Sequence, residues 1–178
     1  MQYFISIGFC AFFVIASVFG DVQEEVHTQC SELGQRAAAF EDAINTTYRY
    51  LGEPDEYRGV VEACRAVIHC SQKLSPPFQE VLLANYKVCG FYMFYNDQFS
   101  YCANKLISRK DDDVPCLDAL FNDFGKAGVD ECDQWDSLQP CMLVQIEKVC
   151  SENPDQWTKH AAIFRRAMCE KTNWKMFK

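Results

Sequence analysis

Apolar side chains recur every three or four positions from residue 26 to residue 51. The stripe consists of Val26, Cys30, Leu33, Ala37, Phe40, Ile44, Tyr48 and Leu51. Charged and amide side chains between these positions fall on the other face, so the spacing predicts a long amphipathic helix with one buried side. Gly52 and Pro54 follow the stripe and are expected to end the helix.

The same spacing returns several times further along the chain. It covers residues 57–74, 78–89, 95–106, 117–124, 138–150 and 157–168. Asp55 and Ser75 precede two of these segments and are predicted N-caps, while Pro76 and Pro77 suit a first helical turn. Strand-like alternation never extends beyond a few residues, so the pattern predicts an all-α fold, a single bundle of about six helices.

One aromatic segment has no assignable period. Residues 91–95 are apolar on every side, and Phe99 and Tyr101 extend them into the densest aromatic patch of the chain. The patch is either the central helix of the core, which is the favoured interpretation, or part of a pocket or interface. Tyrosine hydroxyl groups suit a half-exposed surface, so Tyr92, Tyr95, Phe99 and Tyr101 are the candidate ligand or interface residues.

The beginning of the chain is typical of a secretory signal peptide. Residues 1–20 contain no charged side chain and hold an apolar run from Tyr3 to Phe19. Small residues at its end place the predicted cleavage before Asp21, which leaves residues 21–178 as a single secreted domain. An uncleaved membrane anchor is the alternative, since about twenty apolar residues span a bilayer. It is disfavoured because no basic residue precedes the run.

Ten cysteines remain after residues 1–20 are removed, because Cys10 leaves with them. The ten are Cys30, Cys64, Cys70, Cys89, Cys102, Cys116, Cys132, Cys141, Cys150 and Cys169. An even number at this density predicts five disulfides formed in an oxidising compartment, and it leaves their pairing open. Zinc binding needs closely spaced ligands, whereas the shortest gap here is the five residues between Cys64 and Cys70.

Length and charge limit the classes of partner. The 178 residues are enough for one domain with a real core. A net charge of −8 argues against nucleic acid and against anionic membrane surfaces, because both would repel the chain. The expected partner is an extracellular protein or a small apolar ligand.

Asn45-Thr46-Thr47 is an N-glycosylation sequon, and it falls on the polar face of the first predicted helix. In a chain that passes through the secretory pathway, we expect Asn45 to carry a glycan.

Catalytic and metal-binding signatures are weak. The three histidines, His27, His69 and His160, lie in no recognised catalytic motif, although nucleophile and base can also meet in space. Residues 111–113 lack the ligand spacing of a calcium loop. Asp130, Glu131 and Asp133 flank Cys132 in a predicted loop and lack the partners that would mark the carboxylate pair of a glycosidase. We therefore expect no catalytic residue, no metal and no cofactor.

The signal peptide, the roughly 150 mature residues, the dense but unclustered cysteines and the helical pattern together resemble a nematode secreted family named domain of unknown function nineteen. The resemblance covers nearly all of the mature chain and rests on overall plan. It implies an extracellular, helical, disulfide-bonded protein, and it implies no catalytic residues.

The leading functional hypothesis is a secreted binding or interaction protein whose five disulfides keep it rigid. A carrier of a small apolar ligand is the alternative within the same class. A secreted enzyme is the alternative from another class, and no constellation of residues in the sequence supports it.

Overall fold

The computed structural model describes residues 22–40, 51–110, 112–122, 124, 130–151 and 154–169. These residues form eight α-helices and contain no β-strand, so the all-α prediction is confirmed. The count is higher than about six because the spacing itself marks seven segments and the structure adds a short helix, Cys89–Met93, in the aromatic region that has no assignable period.

The helices are α1 (22–40), α2 (Arg58–Ser71), α3 (Pro76–Asn85), α4 (Cys89–Met93), α5 (Ser100–Ile107), α6 (Pro115–Phe121), α7 (Glu131–Gln145) and α8 (Pro154–Cys169). A 3₁₀ turn, Pro54–Tyr57, leads into α2. π-helical turns extend α4 over Phe94–Gln98 and α7 over Ile146–Cys150.

The two predicted N-caps behave differently. Asp55 does not cap α2; it lies inside the 3₁₀ turn, and its carboxylate forms an ion pair with Arg58 at 2.9 Å. Ser75 does hold the N-cap position of α3, with Pro76 as the first helical residue. Its hydroxyl makes no capping bond, and its N–H donates instead to the side chain of Gln23 in α1 at 2.7 Å.

Helix α7 begins at Glu131, well before the predicted start at Leu138. Asp130 is the N-cap, and its carboxylate accepts hydrogen bonds from the N–H groups of Cys132 at 2.9 Å and Asp133 at 3.1 Å. Acidic side chains in the first turn add a favourable interaction with the helix dipole. The acidic cluster around Asp130 is therefore the start of a helix rather than a loop.

All ten cysteines beyond residue 20 form disulfides, as the even count predicts. The pairs are Cys30–Cys70, Cys64–Cys89, Cys102–Cys150, Cys116–Cys141 and Cys132–Cys169. Their Cα–Cα distances of 5.3–6.0 Å lie within the range that a disulfide spans without backbone movement.

The same crossed linkage occurs in both halves of the chain. In each half, a middle helix carries two cysteines: α2 has Cys64 and Cys70, and α7 has Cys132 and Cys141. The second cysteine of each pair bonds to the preceding helix, α1 or α6, and the first bonds to a following helix, α4 or α8. The fifth bridge joins the halves by linking α5 to the π turn after α7.

The core is aromatic where α4, α7 and α8 meet. The rings of Phe91 and Phe164 lie 4.5 Å apart, those of Trp135 and Phe164 lie 4.9 Å apart, and those of Phe99 and Trp157 lie 5.0 Å apart. Trp157 is buried and its indole N–H donates to the side-chain oxygen of Gln139 at 2.9 Å. Buried indole groups usually have such a partner, and this one also links α8 to α7.

Helix α1 approaches the end of α3 at a glycine. A Cβ atom built on Gly34 would overlap the ring of Tyr86, which is itself buried. The Tyr86 hydroxyl donates to the main-chain oxygen of Ser31 at 3.3 Å. The absence of a side chain at Gly34 therefore sets how closely these two helices pack.

Candidate functional site

The aromatic segment divides between the core and the surface. Tyr92, Tyr95 and Phe99 expose 2% of their surface or less, whereas Tyr101 exposes 66%. The structure therefore brings the first three candidate residues together inside the protein and places Tyr101 apart from them. Tyr92, Tyr95 and Phe99 are therefore core residues, and Tyr101 is a surface residue.

A π-helical turn explains why this segment has no simple period. The N–H of Phe99 donates to the carbonyl oxygen of Phe94 at 2.9 Å, five residues back, so one extra residue enters the turn. As a result Phe94 and Phe99, five positions apart, are both buried, and their rings lie 5.3 Å apart. A sequence pattern that assumes a period of 3.6 cannot represent this shift.

The hydroxyl groups of two buried tyrosines hold the chain entering the 3₁₀ turn. Tyr95 donates to the carbonyl oxygen of Gly52, and the N–H of Gly52 donates to the hydroxyl of Tyr57, both at 2.9 Å. Burial raises the pKa of Tyr95 well above its ordinary value, and nearby Tyr57, Glu56 and Glu53 raise it further. The hydroxyl therefore stays protonated and acts as a structural donor.

Tyr101 lies on the solvent side of α5. The ammonium group of Lys105, one helical turn later, lies 4.3 Å from the centre of its ring. This cation–π contact covers part of one ring face and leaves most of the side chain exposed. An exposed tyrosine with a fixed neighbour is a suitable contact residue for a protein surface.

The three histidines lie in separate places. His27 is 6.0 Å from the ring of Phe78, and His69 is exposed in the last turn of α2. His160 stacks on Phe94 at 4.2 Å with nearly parallel rings, and its Nδ1 atom lies 3.1 Å from the carbonyl oxygen of Gly90. These contacts fix the position of the His160 ring within the interface between α4 and α8.

The environment of His160 favours its neutral form. Burial lowers the pKa of His160 and nearby Lys159 lowers it too, whereas the hydrogen bond to Gly90 acts in the opposite direction. The tautomer protonated at Nδ1 donates to that carbonyl oxygen.

The acidic clusters have local partners. Asp112 forms an ion pair with Arg109 at 3.1 Å, and Asp130 caps α7 as described above. Within the part of the chain that the structure describes, no three His, Cys, Asp or Glu side chains are close enough to hold a metal ion together. Asp111 lies outside the described residues, as do Asn45 and the predicted signal peptide.

Sequence reasoning missed three residues that organise this region. Asp130 caps α7, and the acidic residues immediately after it were the available signal. Trp135 and Trp157 form the centre of the aromatic core with a ring separation of 6.2 Å. Their roles could be inferred only by placing α7 and α8 side by side.

Two features of the described helices bear on the compartment in which the protein is found. None of them is long and apolar enough to cross a bilayer. Five disulfides within a compact helical fold are consistent with an extracellular protein, since thiols at this density persist as disulfides only under oxidising conditions.

Comparison with known proteins identifies the family. A family model described as "Domain of unknown function (DUF19)" matches residues 21–178. No curated protein and no solved structure matches the chain. The match covers the whole segment after the predicted signal peptide and agrees with the resemblance in overall plan. The chain therefore belongs to the DUF19 family.

Proposed function

We propose that the protein is secreted and acts as a rigid extracellular binding protein whose partner is a macromolecule. The observation that carries the proposal is the set of five disulfides, which joins α1, α2 and α4, then α6, α7 and α8, and finally the two halves. Each bridge is worth roughly 2–4 kcal/mol through its effect on the unfolded chain. A rigid surface loses little conformational entropy when it binds, which favours a binding role.

The packing of the aromatic segment favours a macromolecular partner over a small apolar ligand. Tyr92 and Tyr95 contact the ring of Tyr57 at 5.1 Å and 5.8 Å, and Phe91 stacks on Tyr95 at 5.7 Å. These rings contact one another, so the aromatic residues that suggested the carrier hypothesis pack together as part of the core. The exposed ring of Tyr101 is available to a partner surface instead.

Secretion and oxidation can be tested together in cultured eukaryotic cells. We expect the full chain to appear in the medium with residues 1–20 removed and without free thiols, and a chain that lacks residues 1–20 to stay inside the cell. Treatment with an N-glycosidase should remove mass from the secreted protein but not from the Asn45→Gln variant. Retention of the full chain in membranes would contradict the proposal and support the anchor.

Binding of an apolar fluorescent probe distinguishes the carrier from the proposed function. We expect no saturable one-to-one binding by the folded protein. Saturable binding that Phe99→Ala weakens and Tyr101→Ala leaves unchanged would show an internal ligand site and would replace a macromolecular partner with a small apolar one.

A further inference from the structure

The five disulfides differ in how far solvent reaches them. Seven of the ten cysteines expose 9% of their surface or less: Cys30, Cys64, Cys70, Cys89, Cys102, Cys116 and Cys150. They include both members of three bridges and one member of the Cys116–Cys141 bridge, in which Cys141 packs against the core. Of the five bridges, only Cys132–Cys169 has two partly exposed cysteines that lie outside this packing. A small solute therefore has its best access to that bridge.

Access matters because a thiol opens a disulfide by direct attack on sulfur. A thiolate attacks one sulfur atom of the bridge, forms a mixed disulfide with that cysteine and displaces the other cysteine as a thiolate. A second thiol molecule then attacks the mixed disulfide, releases the first cysteine and leaves as an oxidised dimer. Two thiol molecules lose two electrons in total, and their two protons remain on the two cysteines. Sulfur atoms that the thiolate cannot reach react slowly.

Other contacts hold α8 in place beside this bridge. The ring of Phe164 lies 4.5 Å from the ring of Phe91 and 4.9 Å from that of Trp135. One helical turn from the bridge, Arg165 forms two hydrogen bonds of 2.6 Å to the carboxylate of Asp136 in α7. These contacts do not depend on the covalent bond between the two helices. We therefore expect α8 to stay packed in the core when the bridge opens.

The charges beside the bridge favour one class of thiol. Four acidic residues lie within four positions of Cys132: Asp130, Glu131, Asp133 and Asp136. The carboxylate of Asp130 accepts a hydrogen bond from the N–H of Cys132 itself. Among the residues that the structure describes, two basic ones, Arg165 and Arg166, lie equally close to Cys169 along the chain. Negative charges outnumber positive ones here, which attracts a cationic thiol and repels an anionic one.

We propose that the Cys132–Cys169 bridge is a site of thiol–disulfide exchange, opened by small thiols, cationic ones faster than anionic ones, while the other four bridges stay closed. Exchange converts the fully oxidised protein into a form with two thiols, one at the start of α7 and one at the end of α8, and leaves the fold in place. This chemistry does not depend on the binding partner, so it goes beyond the proposed function.

The order in which the bridges open is measured on the secreted, fully oxidised protein. The protein is treated briefly with cysteamine, free thiols are alkylated with iodoacetamide, and the labelled cysteines are identified by mass spectrometry of proteolytic fragments. We expect Cys132 and Cys169 to be labelled at least about tenfold faster than any other cysteine, because the rate of exchange follows access. The near-ultraviolet circular dichroism of the aromatic core should be unchanged at that stage.

The preference for a cationic thiol is measured with cysteamine, which is positively charged, and mercaptopropionate, which is negatively charged. The rate with each thiol is divided by its rate with a neutral small disulfide, which removes the difference in intrinsic reactivity. The corrected rate should be at least about threefold higher for cysteamine at low salt, and the preference should shrink in Glu131→Gln/Asp133→Asn. The matched control, Glu24→Gln/Glu25→Gln, changes the net charge equally at the exposed start of α1 and should keep the preference.

Two further variants check which bridge reacts. Cys132→Ser/Cys169→Ser should take up no label under the same conditions, whereas Cys116→Ser/Cys141→Ser should still be labelled first at Cys132 and Cys169. If either variant does not fold, the rates measured on the unmutated protein still decide the question. Earlier opening of another bridge, or labelling of all ten cysteines together, would overturn the proposal. An equal or higher corrected rate for mercaptopropionate would overturn it too.

Discussion

The close packing of α1 on the end of α3 predicts opposite effects for the same substitution at two glycines. Gly34→Ala and Gly90→Ala each place a better helix former inside a helix, which alone favours the folded state by up to about 1 kcal/mol. At Gly90 the added methyl group meets only the side chain of Ile163 at 3.6 Å, an ordinary contact. At Gly34 it overlaps the ring of Tyr86.

The overlap at Gly34 cannot be relieved cheaply, because Tyr86 is buried and its hydroxyl is bonded to Ser31. Overpacking of this kind costs roughly 1–3 kcal/mol. Since the gain in helix propensity is common to both variants, we expect Gly34→Ala to be less stable than Gly90→Ala by that amount, or roughly 2–12 °C in Tm. Calorimetric unfolding with the disulfides intact measures the difference. Equal stability, or a more stable Gly34→Ala variant, would refute the packing of α1 against Tyr86.

Three further predictions test the core, the charges and the histidine. In urea unfolding, Phe91→Ala should lower the free energy of unfolding by roughly 3–5 kcal/mol and Tyr101→Ala by less than about 0.5 kcal/mol. Similar losses in the two variants would contradict the placement of Phe91 in the core and Tyr101 at the surface. The hydrogen bonds from Arg165 hold the pKa of Asp136 below its ordinary value. Asp136→Asn should therefore lower the free energy of unfolding at pH 7 by less than about 1 kcal/mol, which a lower Tm would show. The difference should disappear as the pH falls through the folded-state pKa of Asp136. The pKa of His160 is also lowered. The contribution of neutral His160 to folding stability is therefore fully present above the unfolded-state pKa of about 6.5, and it is lost as the pH falls through the folded-state pKa. An NMR titration in which His160 titrates above about 6.5 would contradict this.

Helices were predictable where one face is apolar and a strong breaker follows. Pro76 begins α3 as expected, because its fixed backbone angle suits a first turn. Asp55 has the residue type of an N-cap but lies within a 3₁₀ turn instead, because Pro54 begins that turn one residue earlier. The choice between neighbouring cap positions depends on tertiary contacts that the local sequence does not contain.

Disulfide number and disulfide pairing differ in how far they can be inferred. The even count after Cys10 is removed predicts five bridges, and five are found. The pairing requires knowing which helices are adjacent; Cys102 bonds to Cys150, with a sequence separation of 48, because α5 packs against the π turn after α7. The spacing of the cysteines along the sequence does not show that α5 and this turn are in contact.

The surface role of Tyr101 and the core role of Tyr95 could not be separated from the sequence alone. Both are tyrosines within one aromatic run, and the helical period is interrupted between them by the π turn at Phe94–Gln98. The structure separates them because one hydroxyl donates to Gly52 inside the protein while the other ring contacts Lys105 at the surface.

The central claim is a secreted helical protein held by five specific disulfides, and mass spectrometry of the secreted chain tests it most directly. The intact protein should be lighter than its reduced form by two hydrogen atoms for each of five bridges. Proteolytic fragments of the unreduced protein should contain Cys30 linked to Cys70, and Cys102 linked to Cys150. Free thiols on the secreted chain, or fragments that join these cysteines to other partners, would contradict the account.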